Sequence, residues 1–174
     1  MVEFKFNDRP NDGRLNQTIS EYADVDLDAV KLFLDLQWTY REMQKAYDAT
    51  LAEYGLTETR FIILMFLLRA DDHSLTPAVI ADKLGATRAT VSKILKRLTA
   101  NDWVIKTNSV QDKRSVLIQL APAGEQVLTA FLPHNFSAVK TIMAPLSATE
   151  IVTLSNLLHK INIGTKKLNS EKSN

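Results

Sequence analysis

The sequence predicts a mainly α-helical fold with a small β-hairpin, and three observations carry that prediction. Apolar residues recur at helical spacing over most of the chain after Asp26. Two short helical patterns are separated only by Gly85-Ala86-Thr87. Two β-rich runs, WVIKTN from Trp103 and SVLIQL from Ser115, follow directly. Helices should therefore form the body of the fold, with the hairpin projecting as a wing.

Composition excludes several classes of protein. The chain has 174 residues, 45% of them hydrophobic, and a net charge of +1, which fits one compact domain or two small modules. It has no cysteine, so disulfides, thiolate zinc sites and iron–sulfur clusters are excluded, and its three histidines lack metal-ligand spacing. No apolar run approaches the ~20 residues that cross a bilayer, and a secretory signal is not evident. We expect a cytoplasmic protein without a metal or cofactor.

The two ends of the chain are polar. Residues 1–25 contain Pro10 and Gly13 and predict a weakly ordered arm, and residues 168–174 predict a polar tail. Between these ends, residues 57–121 hold the short helices and the hairpin.

Helical patterns flank that middle segment on both sides. In residues 26–56, apolar and aromatic positions from Ala29 to Tyr54 repeat at steps of three and four, until Gly55 stops the pattern. This seam suits packing against another helix, although its aromatic residues could also line a ligand pocket. Residues 122–167 add two helical patterns, the first broken or kinked near Pro133. We interpret both flanks as dimerisation helices.

The middle segment carries several helix-start signals. Thr57 can cap a helix whose run FIILMFLL is too continuous for a surface position, so this helix should be buried on most sides. Thr76 followed by Pro77 marks the start of the next helix, and Gly85 marks its end. Thr87 can cap a further helix that runs to about Asn101.

The turn between these last two helices is typical of a helix-turn-helix. Three connecting residues are too few for an antiparallel hairpin of long helices. Ala81 is small enough for close approach of the second helix, Gly85 can adopt the left-handed conformation, and Val91 falls on the inward face. With the hairpin behind it, this unit predicts a winged helix-turn-helix.

The second helix has a one-sided surface. On a helical wheel Val91, Ile94, Leu95 and Leu98 form an apolar stripe, and small or basic residues lie opposite. From residue 87 to 101 there are four Lys or Arg and no acid, whereas a solvated surface helix commonly mixes signs. Residues 60–119 as a whole carry ten Lys or Arg against five Asp. The candidate DNA contacts are Thr87, Arg88, Ala89, Thr90, Ser92, Lys93, Lys96 and Arg97.

These side chains suit different parts of a duplex. Ala89 lets the backbone approach base edges, and Lys93 near the helix tip is the best base-reading candidate. Lys96 and Arg97 lie further from the tip and fit phosphates. In the hairpin loop, Lys113 and Arg114 add positive charge, and Arg114 can enter the minor groove with Asp112 orienting it. An ordinary exposed ion pair is the alternative reading of Asp112 and Arg114.

The assembled motifs resemble the MarR family of winged-helix transcription factors. The resemblance covers roughly residues 27–167 and is most specific in LTPAVIADKLGATRATVSKILKRLTANDWV, in Asp112-x-Arg114 and in VLIQLAPAG. It implies a homodimeric repressor on a pseudo-palindromic operator, with Asp112 and Arg114 matching the wing's aspartate–arginine pair. The chain departs from the family at Asn101-Asp102, where glycine is common, and at Ala121-Pro122, where a threonine cap is common.

The resemblance also implies release of DNA by a small aromatic or phenolic effector. The candidate lining combines aromatic side chains with one cation, although the same residues would serve as core. These residues are Trp38, Arg41, Tyr47, Phe61 and Met65.

Two other classes of function stay open from the residues alone. The basic helix could meet an acidic protein partner, although such a partner has no need of alanine and hydroxyl side chains at the helix tip. An enzyme has little support, because no Ser-His-Asp constellation, phosphate-binding loop or pair of acids is evident.

Overall fold

The computed structural model describes residues 10–22, 25–108 and 116–171. The chain divides into two compact units, Met1–Ala46 and Tyr47–Asn174, with the division inside a long helix. The observed fold is mainly helical with a small antiparallel sheet, which confirms the predicted fold class.

The first unit contains α1 (Asp12–Tyr22) and most of α2 (Leu27–Ala52). The helix α1 differs from the weakly ordered arm that the sequence predicts. Its start is capped by Asn11, whose Oδ1 accepts from the Arg14 amide at 3.0 Å. The Lys31 ammonium donates to the Asp12 carboxylate at 2.8 Å, which joins α1 to α2. Local capping and one ion pair therefore stabilise a helix in a segment whose composition is typical of a loop, and the weak order of the arm stays a prediction.

The second unit begins with the last turns of α2, and Gly55 follows with φ 67° in the turn that ends it. Next comes α3 (Glu58–Leu68), capped by Thr57, whose side chain accepts from the Arg60 amide. No residue from Phe61 to Leu68 is exposed, which confirms that α3 is buried on most sides.

A 3₁₀ turn at Asp71–His73 leads into β1 (Ser74–Leu75) and then α4 (Pro77–Leu84). The helix α4 starts with Thr76 as its cap and Pro77 in its first turn, as predicted. Strand β1 has only two residues, and the sequence did not predict it because so short a run carries no periodicity.

The recognition-helix candidate is α5 (Arg88–Ala100), followed by β2 (Val104–Asn108) and β3 (Val116–Leu120). Strands β2 and β3 pair antiparallel from Val104 opposite Leu120 to Asn108 opposite Val116, which confirms the hairpin. Strand β1 pairs with the other edge of β3, so the sheet order is β1-β3-β2.

Two helices complete the chain, α6 (Pro122–Met143) and α7 (Ala148–Glu171). The helix α6 continues through Pro133, so the predicted alternative of a break there is wrong, and the alternative of a kink stays a prediction. Pro133 is exposed, so water can solvate the carbonyl that its missing N–H leaves free. The helix α7 begins with a capping box, in which the Ser147 amide and hydroxyl donate to Glu150 Oε2 at 2.8 and 2.7 Å.

The core of the second unit lies where α3, α4 and α5 meet the sheet and the first half of α6. Its fully buried side chains include Leu64, Ile80, Leu98, Ile118 and Phe131. No single helix in the described part of the chain is long and apolar enough to span a membrane. Together α6 and α7 reach the required length and composition, but a bend of 92° separates them.

Candidate nucleic-acid interface

The turn between α4 and α5 has the geometry that the sequence predicted. Gly85 adopts φ 61° and ψ 31°, the left-handed conformation that favours glycine. The Ala86 amide donates to the Ala81 carbonyl at 3.0 Å, and Ala81 itself is only 4% exposed. A larger side chain at Ala81 would have to displace its packed neighbours. This turn fixes the direction in which α5 leaves α4.

The start of α5 is held by a threonine cap. Thr87 Oγ1 accepts from the Thr90 amide at 3.2 Å, and the two threonine hydroxyl oxygens lie 2.9 Å apart. The Thr87 hydroxyl is therefore the cap, the Thr90 hydroxyl is hydrogen-bonded to it, and both side chains remain exposed. An exposed, capped helix start offers free backbone N–H groups to an anion such as a phosphate.

The two faces of α5 differ sharply in burial. Val91, Leu95 and Leu98 are at most 2% exposed, and Ile94 packs against the same core. The eight predicted DNA contacts on and before α5 are all exposed. The structure thus brings these eight residues together on one outward surface, here called the α5 surface: Thr87, Arg88, Ala89, Thr90, Ser92, Lys93, Lys96 and Arg97.

The α5 surface is cationic without internal compensation. None of its four Lys or Arg side chains forms an ion pair with a residue in the described ranges. Four unpaired cations on one exposed helical face produce a positive potential that attracts a polyanion.

The hairpin that follows is placed beside this surface by Trp103. Its amide donates to the Leu98 carbonyl near the end of α5, and its own carbonyl accepts from the Ala121 amide, both at 3.0 Å. Asp102, just before it, adopts φ 57°, so the left-handed turn survives without glycine, as expected for an aspartate. The sequence did not predict the positioning role of Trp103. Its carbonyl accepts from the Ala121 amide, which is distant in sequence, and no local pattern indicates that the two residues meet.

The wing itself can be followed only along its two strands. Asp112, Lys113 and Arg114 lie outside the described residues, so their predicted roles stay predictions. The described strands end at Asn108 and Val116, which are paired with each other.

The predicted effector-lining residues fall into both units. Trp38 and Arg41 belong to the first unit. In the second unit Tyr47, Phe61 and Met65 are partly buried and pack against the core. The Phe61 ring meets Phe131 edge-on with a centroid distance of 5.1 Å. Core packing is thus an observed role of these three residues, and a lining role stays a prediction.

One polar contact in this region was not predicted. The Tyr47 hydroxyl donates to Oδ1 of Asn135 at 2.5 Å, and Asn135 is a buried polar side chain with 9% exposure. Burial raises the pKa of the Tyr47 hydroxyl, so it stays a proton donor at neutral pH. Metal-binding clusters of three or more His, Cys, Asp or Glu are absent from residues 10–22, 25–108 and 116–171.

Known proteins resemble the chain both within the winged helix-turn-helix and over most of its length. A family model described as MarR family matches residues 54–115. The HTH-type transcriptional repressor YetL of Bacillus subtilis (strain 168) is 30% identical over 158 residues, which cover 88% of this chain and 95% of that protein.

The chain belongs to the MarR family.

Solved structures share the fold of this MarR-family protein. The MarR family transcriptional regulator Sco3205 from Streptomyces coelicolor, in complex with DNA, superposes with a TM-score of 0.71 at 20% identity, covering 81% of this chain and 90% of that one. The organohalide-sensing regulator RdhR-CbdbA1625, in its 2,4-dichlorophenol-bound form, gives a TM-score of 0.69 at 24% identity, covering 96% and 92%. The protein is thus a DNA-binding transcription regulator, and its relatives are regulators rather than enzymes.

Proposed function

We propose that this protein is a repressor that binds a pseudo-palindromic operator as a homodimer, with α5 of each copy in the major groove. The observation that carries the proposal is the α5 surface, whose exposed cations have no carboxylate partner in the described ranges. Repressor relatives and a DNA-bound structural neighbour support it. We also propose that the protein is cytoplasmic, because chromosomal DNA is accessible there.

The residues of the α5 surface divide by distance from the helix start. Lys93 lies within the first two turns of α5 and is proposed to read a base. Lys96 and Arg97 lie a turn further along and are proposed to bind phosphates. In the wing, Lys113 and Arg114 are proposed to reach the minor groove, with Asp112 orienting the arginine.

Dimerisation is supported by α7. This helix of 24 residues has no buried residue within the chain, although isolated helices of such composition depend on packing for stability. Ile151, Leu154, Leu158 and Ile161 repeat at steps of three and four and are 38–45% exposed. That spacing matches a seam for a second helix, and a second copy of the chain supplies one in a two-fold dimer.

An effector completes the proposal. We propose that a small aromatic or phenolic molecule releases the operator, which is supported by the dichlorophenol-bound relative. In the second unit the proposed lining residues are Tyr47, Phe61 and Met65, and Trp38 and Arg41 of the first unit are a separate proposal. The residues of the first unit and those of the second unit are to be substituted in separate variants, so that the contribution of each set to effector binding is measured independently of the other.

Selection of bound sequences from random DNA tests the central proposal and supplies the operator. Lys93→Ala should lose about 10- to 100-fold in operator affinity and relax the preference at one base pair. Lys96→Ala should weaken binding to all sequences alike and reduce the slope of log K against log salt by roughly one. Lys160→Ala, an exposed lysine on α7, is the matched control and should bind normally.

Two results would contradict the proposal. One is selection that yields no preferred sequence, and the other is tight, salt-insensitive binding to an acidic protein in place of DNA. Light scattering tests the dimer separately: the expected mass is about twice the 19.6 kDa of one chain, and Leu158→Glu should reduce it to one chain. A stable wild-type monomer at micromolar concentration would refute dimerisation.

A further inference from the structure

Trp103 connects three elements of the second unit at one point. Its amide donates to the Leu98 carbonyl in the last turn of α5, and its carbonyl accepts from the Ala121 amide directly before α6, both at 3.0 Å. Strand β2 begins with the next residue, Val104. The backbone of a single residue therefore holds the end of α5 and the start of α6.

The indole ring of Trp103 faces the turn that follows α2. A Cβ atom added to Gly55 would lie 3.6 Å from Cη2 and 3.9 Å from Cζ2 of the ring, which is ordinary van der Waals contact. The turn is itself held, because the Gly55 amide donates to the Ala52 carbonyl and the Gly55 carbonyl accepts from the Arg60 guanidinium, both at 3.0 Å. The half-buried ring also packs against the core. Its position restricts movement of the Trp103 backbone.

The start of α6 approaches Trp103 closely. A Cβ atom added to Gly124 would overlap the Trp103 carbonyl oxygen, so glycine permits the approach. Here the term Trp103 joint is used for Gly55, Leu98, Trp103, Ala121 and Gly124.

The direction in which α6 leaves the Trp103 joint determines where α7 lies relative to α5. The helix α6 has 22 residues and is about 33 Å long at a rise of about 1.5 Å per residue. A tilt of about 6° at its start moves its far end by about 3.4 Å, which is the rise of one base pair. Because α7 follows that far end, a small change at the joint moves the proposed dimer seam relative to the α5 surface.

We propose that Trp103 is a positioning residue that holds the angle between α5 and α6 and thereby sets the half-site spacing that the dimer accepts. Bases within a half-site are contacted by the α5 surface, and Trp103 acts on their separation through α6. The spacing rests on the proposed function, whereas the angle is a property of one chain.

Distances between two spin labels test the angle without DNA. The chain has no cysteine, so Ala100→Cys and Ser137→Cys, both at exposed positions, place one label at the end of α5 and one in α6. An excess of unlabelled protein restricts the measurement to distances within one chain. Trp103→Leu should broaden the distance distribution about two-fold, because loss of the ring reduces the rigidity of the packing. Trp103→Phe keeps an aromatic ring and should recover part of the narrow distribution.

Operators with altered spacing test the consequence for DNA binding. Selection from random DNA supplies the half-sites, and their separation is then changed by one base pair in either direction. Each change shifts a half-site by about 3.4 Å and rotates it by about 35°, so wild type should bind about ten-fold more weakly. In Trp103→Leu this ratio should fall to about three-fold, because the joint then yields to the altered spacing. Affinity for an isolated half-site should stay at the wild-type value, since the α5 surface is unchanged.

The ratio between spacings separates positioning from stability. Partial unfolding reduces the active fraction for every operator alike and leaves the ratio unchanged. Ile63→Val, at a fully buried position of α3, is the control that lowers stability through core packing, and it should keep the wild-type ratio. Gly124→Ala displaces the Trp103 carbonyl while the ring is kept, so it should lower the ratio as Trp103→Leu does.

Two outcomes would overturn the proposal. One is a distance distribution in Trp103→Leu that is as narrow as in wild type. The other is a Trp103→Leu variant that binds all spacings more weakly by the same factor, which would limit the ring to a role in stability. Absence of operator binding by wild type would remove the proposed function and leave the angle measurable. Unchanged label distances in a protein that binds its operator would remove the role of Trp103 and leave the regulator.

Discussion

Gly124, in the first turn of α6, offers a sharp test of the packing behind the DNA-binding unit. A Cβ atom added there would lie 2.2 Å from the carbonyl oxygen of Trp103 and 3.0 Å from Leu120 Cδ1. The nearer atom belongs to the backbone, so it cannot rotate away as a flexible side chain would. Gly124→Ala therefore forces α6 and the strand after Trp103 apart.

The size of the effect follows from three contributions. The contact must lengthen by roughly 1 Å to reach ordinary van der Waals distance, and such overpacking costs about 1 to 3 kcal/mol. The hydrogen bond from the Ala121 amide to the Trp103 carbonyl is strained or lost, at a cost of about 1 kcal/mol. The greater helix propensity of alanine offsets about 1 kcal/mol. We expect a net loss of about 1 to 3 kcal/mol in the free energy of unfolding.

Urea unfolding at one fixed protein concentration measures this loss, since dimerisation adds to the apparent stability. Gly164→Ala is the matched control, because Gly164 lies within α7 and a Cβ there would meet no atom within 4 Å. That control should be about 0.5 to 1 kcal/mol more stable than wild type. If Gly124→Ala unfolds at the same or a higher urea concentration than wild type, the packing argument at Trp103 is wrong.

Three further substitutions test other contacts. Asp102→Gly should raise the free energy of unfolding by about 0.5 to 1 kcal/mol, because φ 57° suits glycine better; a less stable variant in urea would contradict this. Tyr47→Phe should cost about 1 to 2 kcal/mol by leaving buried Asn135 without its donor, and a second change, Asn135→Leu, should recover part of that loss; an unchanged single variant would refute the role of the bond. The hydrogen bonds from Ser147 hold the pKa of Glu150 below its usual range, so its stabilising effect is present at neutral pH and lost as pH falls through that lowered pKa. The stability difference between wild type and Glu150→Ala should accordingly shrink on acidification, and a difference that grows would show that the capping box is not its cause.

Much of the fold could be predicted because its signals are local. Thr76, Gly85 and Thr87 each determine a cap or a turn through their own side chain or backbone freedom, and the structure confirms all three. The misjudged elements depend on contacts distant in sequence or on solvation. Strand β1 exists because β3 pairs with it. Pro133 stays within α6 because it lies on an exposed face, where water can solvate the carbonyl four residues earlier that the missing N–H of proline leaves free.

The candidate site divides in the same way. The α5 surface could be predicted from a single helix, because burial of Val91, Leu95 and Leu98 determines which residues point outward. The hydrogen bond from Tyr47 to Asn135 could not, because it joins α2 to α6. In the sequence, Asn135 is only a polar residue within a helical pattern. Side chains from separate elements become a site only after tertiary packing.

The division of α5 into a buried and an outward face also has an evolutionary consequence. Its inner residues belong to the core, whereas each residue of the α5 surface is exposed and adds little to core packing. Surface substitutions usually change stability by no more than about 0.5 kcal/mol. If α5 reads the operator as proposed, mutations at Ala89 or Lys93 alter operator preference while the scaffold stays folded, so a duplicated copy can acquire new target genes without passing through an intermediate that fails to fold.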